Sequence, residues 1–206
     1  MLPSSFAPAV AAFDVRAVVN LGGPLEVQQL EPLLRAGLDS VWLRAHASEP
    51  SLLAEAEVWS EALRLRGVRC IRSLAVWRAG CGDGLHLRAV EQAPEGALVV
   101  SAPVHSLTEL AEARRRGALS ALVSPVFTPL SKEQAVAPLG LDGLREMTAA
   151  ASMPCIALGG VSARRLRDCE EAGAAGAALL GSLLTEEGRD ELLRWLERRA
   201  VRLPSS

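Results

Sequence analysis

Two glycine-bearing turns carry the clearest chemical signal in the chain: Gly159-Gly160-Val161-Ser162 and Gly181-Ser182, each after a short apolar run and each opening a helix-like segment. Glycine lets the main chain approach a ligand closely, and free amide N–H groups at a helix start favour an anion, so the pair points to phosphate. The stretch SPVFTPLSKEQAVAP, from Ser124 to Pro138, adds Thr128, Ser131 and Lys132, whose hydroxyl and ammonium groups suit phosphate oxygens. Lys132 is the only lysine among 22 basic residues. Tight turns without a ligand and a solvated lysine are the competing readings of these residues. Cys70, Cys81, Cys155 and Cys169 form no C-x-x-C pair and have no nearby histidine, which indicates neither a zinc site nor a disulfide framework.

Turns of this kind need a scaffold that brings them together. Short apolar runs at Val15 to Leu21, Ser40 to Arg44, Val68 to Ser73, Gly84 to Leu87, Ala97 to Ser101, Leu119 to Ser124, Pro154 to Leu158 and Ala175 to Leu180 read as eight strands. Between them lie stretches with apolar residues three and four apart, such as Leu52, Ala56, Trp59 and Leu63, which read as helices. Ser106 with Glu109 spells a capping box, and Gly37, Gly67, Gly117 and Gly173 fall where helices should stop. After the third and fourth strands the intervals leave room for one or two turns at most. Eight strand-to-helix units in about 200 residues predict an α/β fold, a single compact (β/α)8 TIM barrel, with a doubly wound sheet as the alternative. One domain over 1–206 with loose ends at 1–12 and 203–206 is expected. In such a barrel ligands sit at the C-terminal ends of the strands, with phosphate between the loops after strands seven and eight. Both glycine turns fall there.

On these residues the chain resembles the thiamine phosphate synthase and thiazole tautomerase superfamily. Five blocks appear in its order and spacing: VHSLTEL at 104–110, PVFTPLSK at 125–132, PLGLDGL at 138–144, PCIALGGV at 154–161 and EAGAAGAALLGSL at 171–183. The N-terminal half matches through Arg44 and GLHL at 84–87. The resemblance implies a (β/α)8 barrel. It also implies a thiazole-phosphate cradle at Gly159, Gly160, Gly181 and Ser182, a hydroxyl-rich loop at Thr128, Ser131 and Lys132, and an arginine, Arg44, facing a diphosphate. Synthases of this superfamily use magnesium to join an aminopyrimidine diphosphate to a thiazole phosphate with loss of pyrophosphate. The tautomerase branch isomerises a thiazole carboxylate phosphate by proton transfer.

The chain departs from the synthase pattern where the metal would bind. Arg44-Ala45-His46 stands for Arg-x-Lys, Arg72-Ser73 for Asn-Asp, and Pro103 for a serine, with Glu91 the nearest carboxylate to the second acidic position. Magnesium requires hard oxygen ligands, which arginine cannot supply. The tautomerase branch also lacks the acidic pair, yet its histidine before the VF of the loop is Pro125 here. His46 and His105 are the replacements expected for proton transfer, with His86 third, because an imidazole ordinarily titrates at about 6.5. Packing or helix capping is the competing reading of each. A metal-independent isomerase acting in thiamine biosynthesis is therefore expected first, a synthase second, and a ligand-binding or regulatory barrel third. No cofactor is expected, apart from magnesium if the chain is an active synthase.

Composition narrows the partners. Lys plus Arg at 22 against Asp plus Glu at 24 gives a net charge of -2, which speaks against nucleic acid held by bulk charge. The apolar half of the chain comes in short runs, none near the roughly 18 to 20 residues of a membrane span. The start, MLPSSFAPAV, has no basic region ahead of an apolar core and does not read as a secretory signal. A cytoplasmic protein with a small phosphorylated ligand, without nucleic-acid or membrane partners and able to form a homo-oligomer, is the expectation.

Overall fold

Alternation with a period of two decides which way each side chain points. In β1 (Asp14–Asn20) Val15, Ala17 and Val19 join an outer apolar shell, while Val18 between them turns inward. The same division recurs in β2 (Ser40–Arg44), β3 (Arg69–Ser73), β4 (Gly84–His86), β5 (Val99–Val104), β6 (Ala121–Val123), β7 (Cys155–Ala157) and β8 (Gly176–Leu179). All pairings are parallel, and β1 pairs with both β2 and β8, closing the barrel in sequence order. Val18, Trp42, Ile71, Val100, Leu122, Ile156 and Ala178 meet on the axis, so the barrel is filled rather than hollow. The computed structural model describes residues 13–88, 91–128 and 137–202. The loose ends expected at 1–12 and 203–206 lie outside those residues.

Helices supply the outer layer: α1 (Val27–Arg35), α2 (Pro50–Arg64), α3 (Leu107–Arg115), α4 (Gly140–Ala150), α5 (Leu166–Glu171) and α6 (Glu186–Arg202). Ser106 caps α3 by accepting from the Glu109 amide at 3.2 Å, and Glu109 in turn accepts from the His105 amide. The expected helix stops at Gly37, Gly67, Gly117 and Gly173 all take positive φ. The thin helical cover expected after strands three and four is found: one 3-10 turn at Leu74–Val76 follows β3, and among the described residues no helix follows β4. One strand is displaced from its predicted span. β5 runs past Ser101 through Pro103 to Val104, because Pro103 and Val104 stay in register with Leu122 and Val123 although proline offers no amide donor.

The N-terminal floor of the barrel is polar and closed. Arg16, 2% exposed, donates to Asp14 at 2.9 Å, Ser40 at 3.2 Å and Ser101 at 3.4 Å. Burial lowers its pKa from the ordinary guanidinium value, with Asp14 opposing. Arg69 adds a second contact to Asp14 at 3.0 Å, and Arg199 of α6 reaches Asp39 at 2.7 Å beside the Phe13–Trp195 ring contact. An uncompensated charge in that position would be strongly destabilising, so the network fixes β1 against its neighbours. No helix among the described residues is long and apolar enough to cross a membrane.

Candidate functional site

At the opposite, C-terminal end of the strands the barrel opens into a cavity of about 350 Å³. Its floor is Val18, Trp42, His86 and Ala178; its walls are Pro103, Leu158 and Leu180; its mouth carries Arg44, His46 and Arg88. Two turns form one side. After β7 the chain passes through Gly159 (φ 91°) and Gly160 (φ 63°) to Val161 and Ser162, and after β8 through Gly181 and Ser182. Gly159 and Gly160 are required twice over. Besides positive φ, a Cβ on Gly159 would lie 2.7 Å from Pro125 Cα, and one on Gly160 would lie 2.5 Å from the Thr128 carbonyl oxygen. Packing against Pro125–Thr128 thus sets the turn.

The amides of Gly160, Val161, Ser162, Gly181 and Ser182 donate to no backbone carbonyl among the described residues. All these residues line the cavity, and Ser182 Oγ donates to the Val161 carbonyl at 3.3 Å, tying the two turns together. Converging N–H groups of this kind can hold an anion. Arg44, at the end of β2, lines the same cavity. Among the described residues it has a 3.5 Å contact to Asn20, its guanidinium carbon lies 6.0 Å from the Trp42 ring centroid, and no carboxylate there pairs with it. Burial lowers its pKa from the guanidinium value, but an arginine remains cationic at neutral pH.

The residues singled out from sequence are distributed unevenly. Arg44, His46, Gly159, Gly160, Gly181 and Ser182 share the cavity. Thr128 abuts Gly160 through its carbonyl but does not line the cavity, and Ser131 and Lys132 lie outside the described residues. His105 is exposed and off the cavity; its Nδ1 donates to the Ser124 carbonyl at 2.5 Å while its amide binds Glu109, which makes it a clasp between the end of β6 and the start of α3. His86, ranked third, lies in the cavity floor. Trp42, a floor residue, was not among the residues singled out from sequence. Its inward register position, two residues before Arg44 on β2, is the signal that locates it.

Arg72 also needs correcting. Standing where the resemblance put a metal-binding pair, it was expected to bear on that position directly; instead it faces away from the cavity, under α2, and donates to Glu57 at 2.9 Å, Ser60 at 2.7 Å and the Val76 carbonyl at 3.2 Å. Burial opposes its charge, but the Glu57 partner outweighs it and its pKa is raised. The inward residue of the pair is Ser73, which accepts from the Trp42 indole at 3.1 Å.

A parallel eight-stranded barrel with its cavity at the C-terminal mouth and paired turns after β7 and β8 defines the class: a (β/α)8 protein of the kind that handles small ligands. The chain belongs to the thiamine monophosphate synthase family, whose sequence model matches residues 19–183 and so includes the N-terminal half. It is 31% identical over 150 residues to the thiamine-phosphate synthase of Chloroflexus aurantiacus, covering 69% of each chain, and 29% identical over 187 residues to that of Pyrococcus abyssi, covering 84% of this chain and 89% of the relative. Thiamine phosphate pyrophosphorylase from Pyrococcus furiosus has the same fold, with a TM-score of 0.72 at 22% identity over 90% of this chain and 96% of that one.

Magnesium, which the resemblance ties to the synthase reaction, asks for carboxylates beside the substrate phosphates. Among the described residues lining the cavity there is no aspartate or glutamate, and no group of three or more His, Cys, Asp and Glu is placed to hold a metal ion. Glu91 is spent on the Arg88 side chain and amide, both at 2.7 Å. The donor set does not fit a magnesium site of that kind.

Proposed function

We propose that the cavity binds a small phosphate ester of the thiazole type, and that the protein acts on it as a metal-independent isomerase in thiamine biosynthesis. The observation that supports this reading is that the amides after β7 and β8, which donate to no backbone carbonyl among the described residues, share one cavity with Arg44, in a lining whose described residues include no carboxylate. In this reading the amides and Arg44 hold the phosphate, and Arg88 adds charge at the rim. The apolar floor takes the ring. His46, the mouth imidazole, removes a proton from one ring position and returns it at another, so that the reaction is balanced without a co-reactant. Small-molecule chemistry of this kind is read as cytoplasmic.

A second reading has its own support: the relatives named above are thiamine-phosphate synthases, and the family resemblance implies for that activity a transfer in which thiazole phosphate is one of two substrates. Calorimetry with thiazole phosphate, with magnesium and with EDTA, together with assays of proton transfer on thiazole carboxylate phosphate and of thiamine phosphate formation, separates the two. Binding and isomerisation that persist in EDTA are expected. Thiamine phosphate formation that EDTA abolishes would replace the isomerase by the synthase, and binding without either turnover would make the protein a ligand-binding barrel.

A further inference from the structure

The cavity floor holds a buried imidazole that proton transfer at the mouth does not use. His86 is 2% exposed, and its ring lies against Trp42 with centroids 4.0 Å apart and planes at 39°. Trp42 is itself held by its indole N–H on Ser73 at 3.1 Å. His86 Nδ1 lies 2.8 Å from Ser101 Oγ, a contact in which either atom could carry the proton.

The floor network decides which one does. A guanidinium has only donors, so at the 3.4 Å contact Arg16 Nη1 donates and Ser101 Oγ accepts. Ser101 then has its own hydroxyl proton to place, and His86 Nδ1 is the one acceptor recorded for it among the described residues. Nδ1 is therefore the acceptor, and the proton of the neutral ring sits on Nε2. The reverse arrangement, with Oγ accepting from both Arg16 and an Nδ1–H, would leave the Ser101 hydroxyl proton with no recorded acceptor among the described residues, and Asp14 and Ser40 hold Arg16 in its donating position. Nε2 has no hydrogen-bond partner among the described residues. Since no buried side-chain nitrogen or oxygen there lacks one, Nε2 is the edge left open to the cavity that His86 lines.

We infer that His86 is a ligand-facing hydrogen-bond donor, set in its Nε2–H form by a relay from Arg16 through Ser101, and that it recognises a lone-pair acceptor on the ring end of the ligand. An unprotonated ring nitrogen or a ring-borne carboxylate oxygen meets that requirement; a ring presenting only N–H or ammonium groups does not. The charged and polar groups that face the imidazole are Arg16 from β1, Arg44 and Trp42 from β2, Ser73 from β3 and Ser101 from β5. None is an anion, and burial together with the two arginines pushes the His86 pKa down to about 3. The ring is thus a neutral donor across the neutral range, neither general acid nor general base. Arg16 and Ser101 are positioning residues that act through it.

The placement of the ligand rests on the proposed function, whereas the proton position does not, so the two can fail separately. Long-range proton–nitrogen NMR of the unliganded protein should show one histidine with Nδ1 unprotonated and Nε2–H, without titration between pH 5 and 8; an Nδ1–H form or a titrating ring would overturn the inference whatever the ligand. Binding is read with two probes, inorganic phosphate and thiazole phosphate. His86→Phe, which keeps a ring against Trp42, should lower thiazole phosphate affinity roughly two- to tenfold, as expected for one neutral hydrogen bond, and leave phosphate affinity unchanged. His86→Gln, which can present an N–H at the same edge, should recover most of the loss. Equal thiazole phosphate affinity in wild type and His86→Phe would refute the donor. Should His86→Phe fail to fold, Ser101→Ala reads the relay: loss of the single Nε2–H signature is expected, and its survival would refute the role of Arg16 and Ser101. Failure of the wild-type protein to bind either probe would sink the phosphate-ester reading, while the NMR result would still decide the tautomer.

Discussion

Replacing His86 by Gln should make the protein less sensitive to acid, by an amount that follows from its environment. The folded imidazole stays neutral down to a pKa of about 3, because it is buried and faces Arg16 and Arg44. In the unfolded chain the same ring takes a proton near its ordinary value of about 6.5. Between those values the unfolded state binds one more proton than the native state, so stability falls as pH falls, by about 1.4 kcal/mol per unit once well below 6.5. Above pH 7 the contribution is constant. At pH 5 the loss from this residue alone comes to about 2 kcal/mol, a large fraction of the roughly 5 to 15 kcal/mol of a typical domain. Carboxylates also titrate in acid: Glu31, Glu57 and Glu61 all have pKa values lowered, chiefly by hydrogen bonds from arginines. They are present in both proteins and cancel in the comparison. Urea unfolding of wild type and His86→Gln at pH 7.5 and pH 5 measures the difference directly. Wild type should lose about 2 kcal/mol more than the variant over that interval; equal losses would mean that His86 protonates normally in the folded barrel and that the floor is wetter or less cationic than its geometry implies.

Arg44→Ala should weaken thiazole phosphate roughly ten- to a hundredfold, the worth of about 1.5 to 3 kcal/mol of charge-assisted hydrogen bonding, with little change in thermal midpoint because the guanidinium pairs with no carboxylate among the described residues; calorimetry and a melting curve on the same sample check both halves. Gly160→Ala should destabilise the protein by about 1 to 3 kcal/mol and abolish anion binding, since the turn must leave its positive φ and move off the Thr128 carbonyl; an unchanged melting temperature with intact phosphate binding would contradict the packing described for that turn. Arg72→Met should leave ligand affinity and its response to EDTA unaltered while lowering stability, because Arg72 bonds to α2 and not into the cavity. A change in ligand affinity without a change in stability would put Arg72 back at the site.

Much of the barrel was legible because its signals are local and repeated. Each inner strand position is set by a period-two alternation, the start of α3 by the capping Ser106, and the ends of α1, α2, α3 and α5 by a glycine at positive φ, so eight units could be counted without knowing how they meet. The misplaced end of β5 has a physical cause: a proline ordinarily argues against a strand interior, yet the parallel register with β6 continues through Pro103 because the neighbour's groups complete the ladder around it. The glycine turn after β7 was legible for the same reason as the strands, since both the φ values of Gly159 and Gly160 and their close approach to Pro125–Thr128 demand glycine itself; Gly181 after β8 carries neither constraint and was legible only by its place after the last strand.

The polar interior was not legible, and the reason lies in how a strand distributes charge. Adjacent residues point to opposite faces, so Arg72 and Ser73, neighbours in sequence, end on different sides of the barrel wall, one beneath α2 and one in the cavity. A motif comparison that treats the pair as a block cannot separate them; a register can. The same rule sends Arg16 inward, where composition would have counted it among the solvated arginines of an Arg-rich chain. Once there it needs Asp14 and Ser40 to be tolerated, it lends a donor to Ser101, and through Ser101 it settles which nitrogen of His86 carries the proton. What the cavity presents to a ligand is therefore governed from the far end of the barrel, by residues from β1, β4 and β5 that lie 15 or more positions apart in sequence and that only the closed sheet brings together.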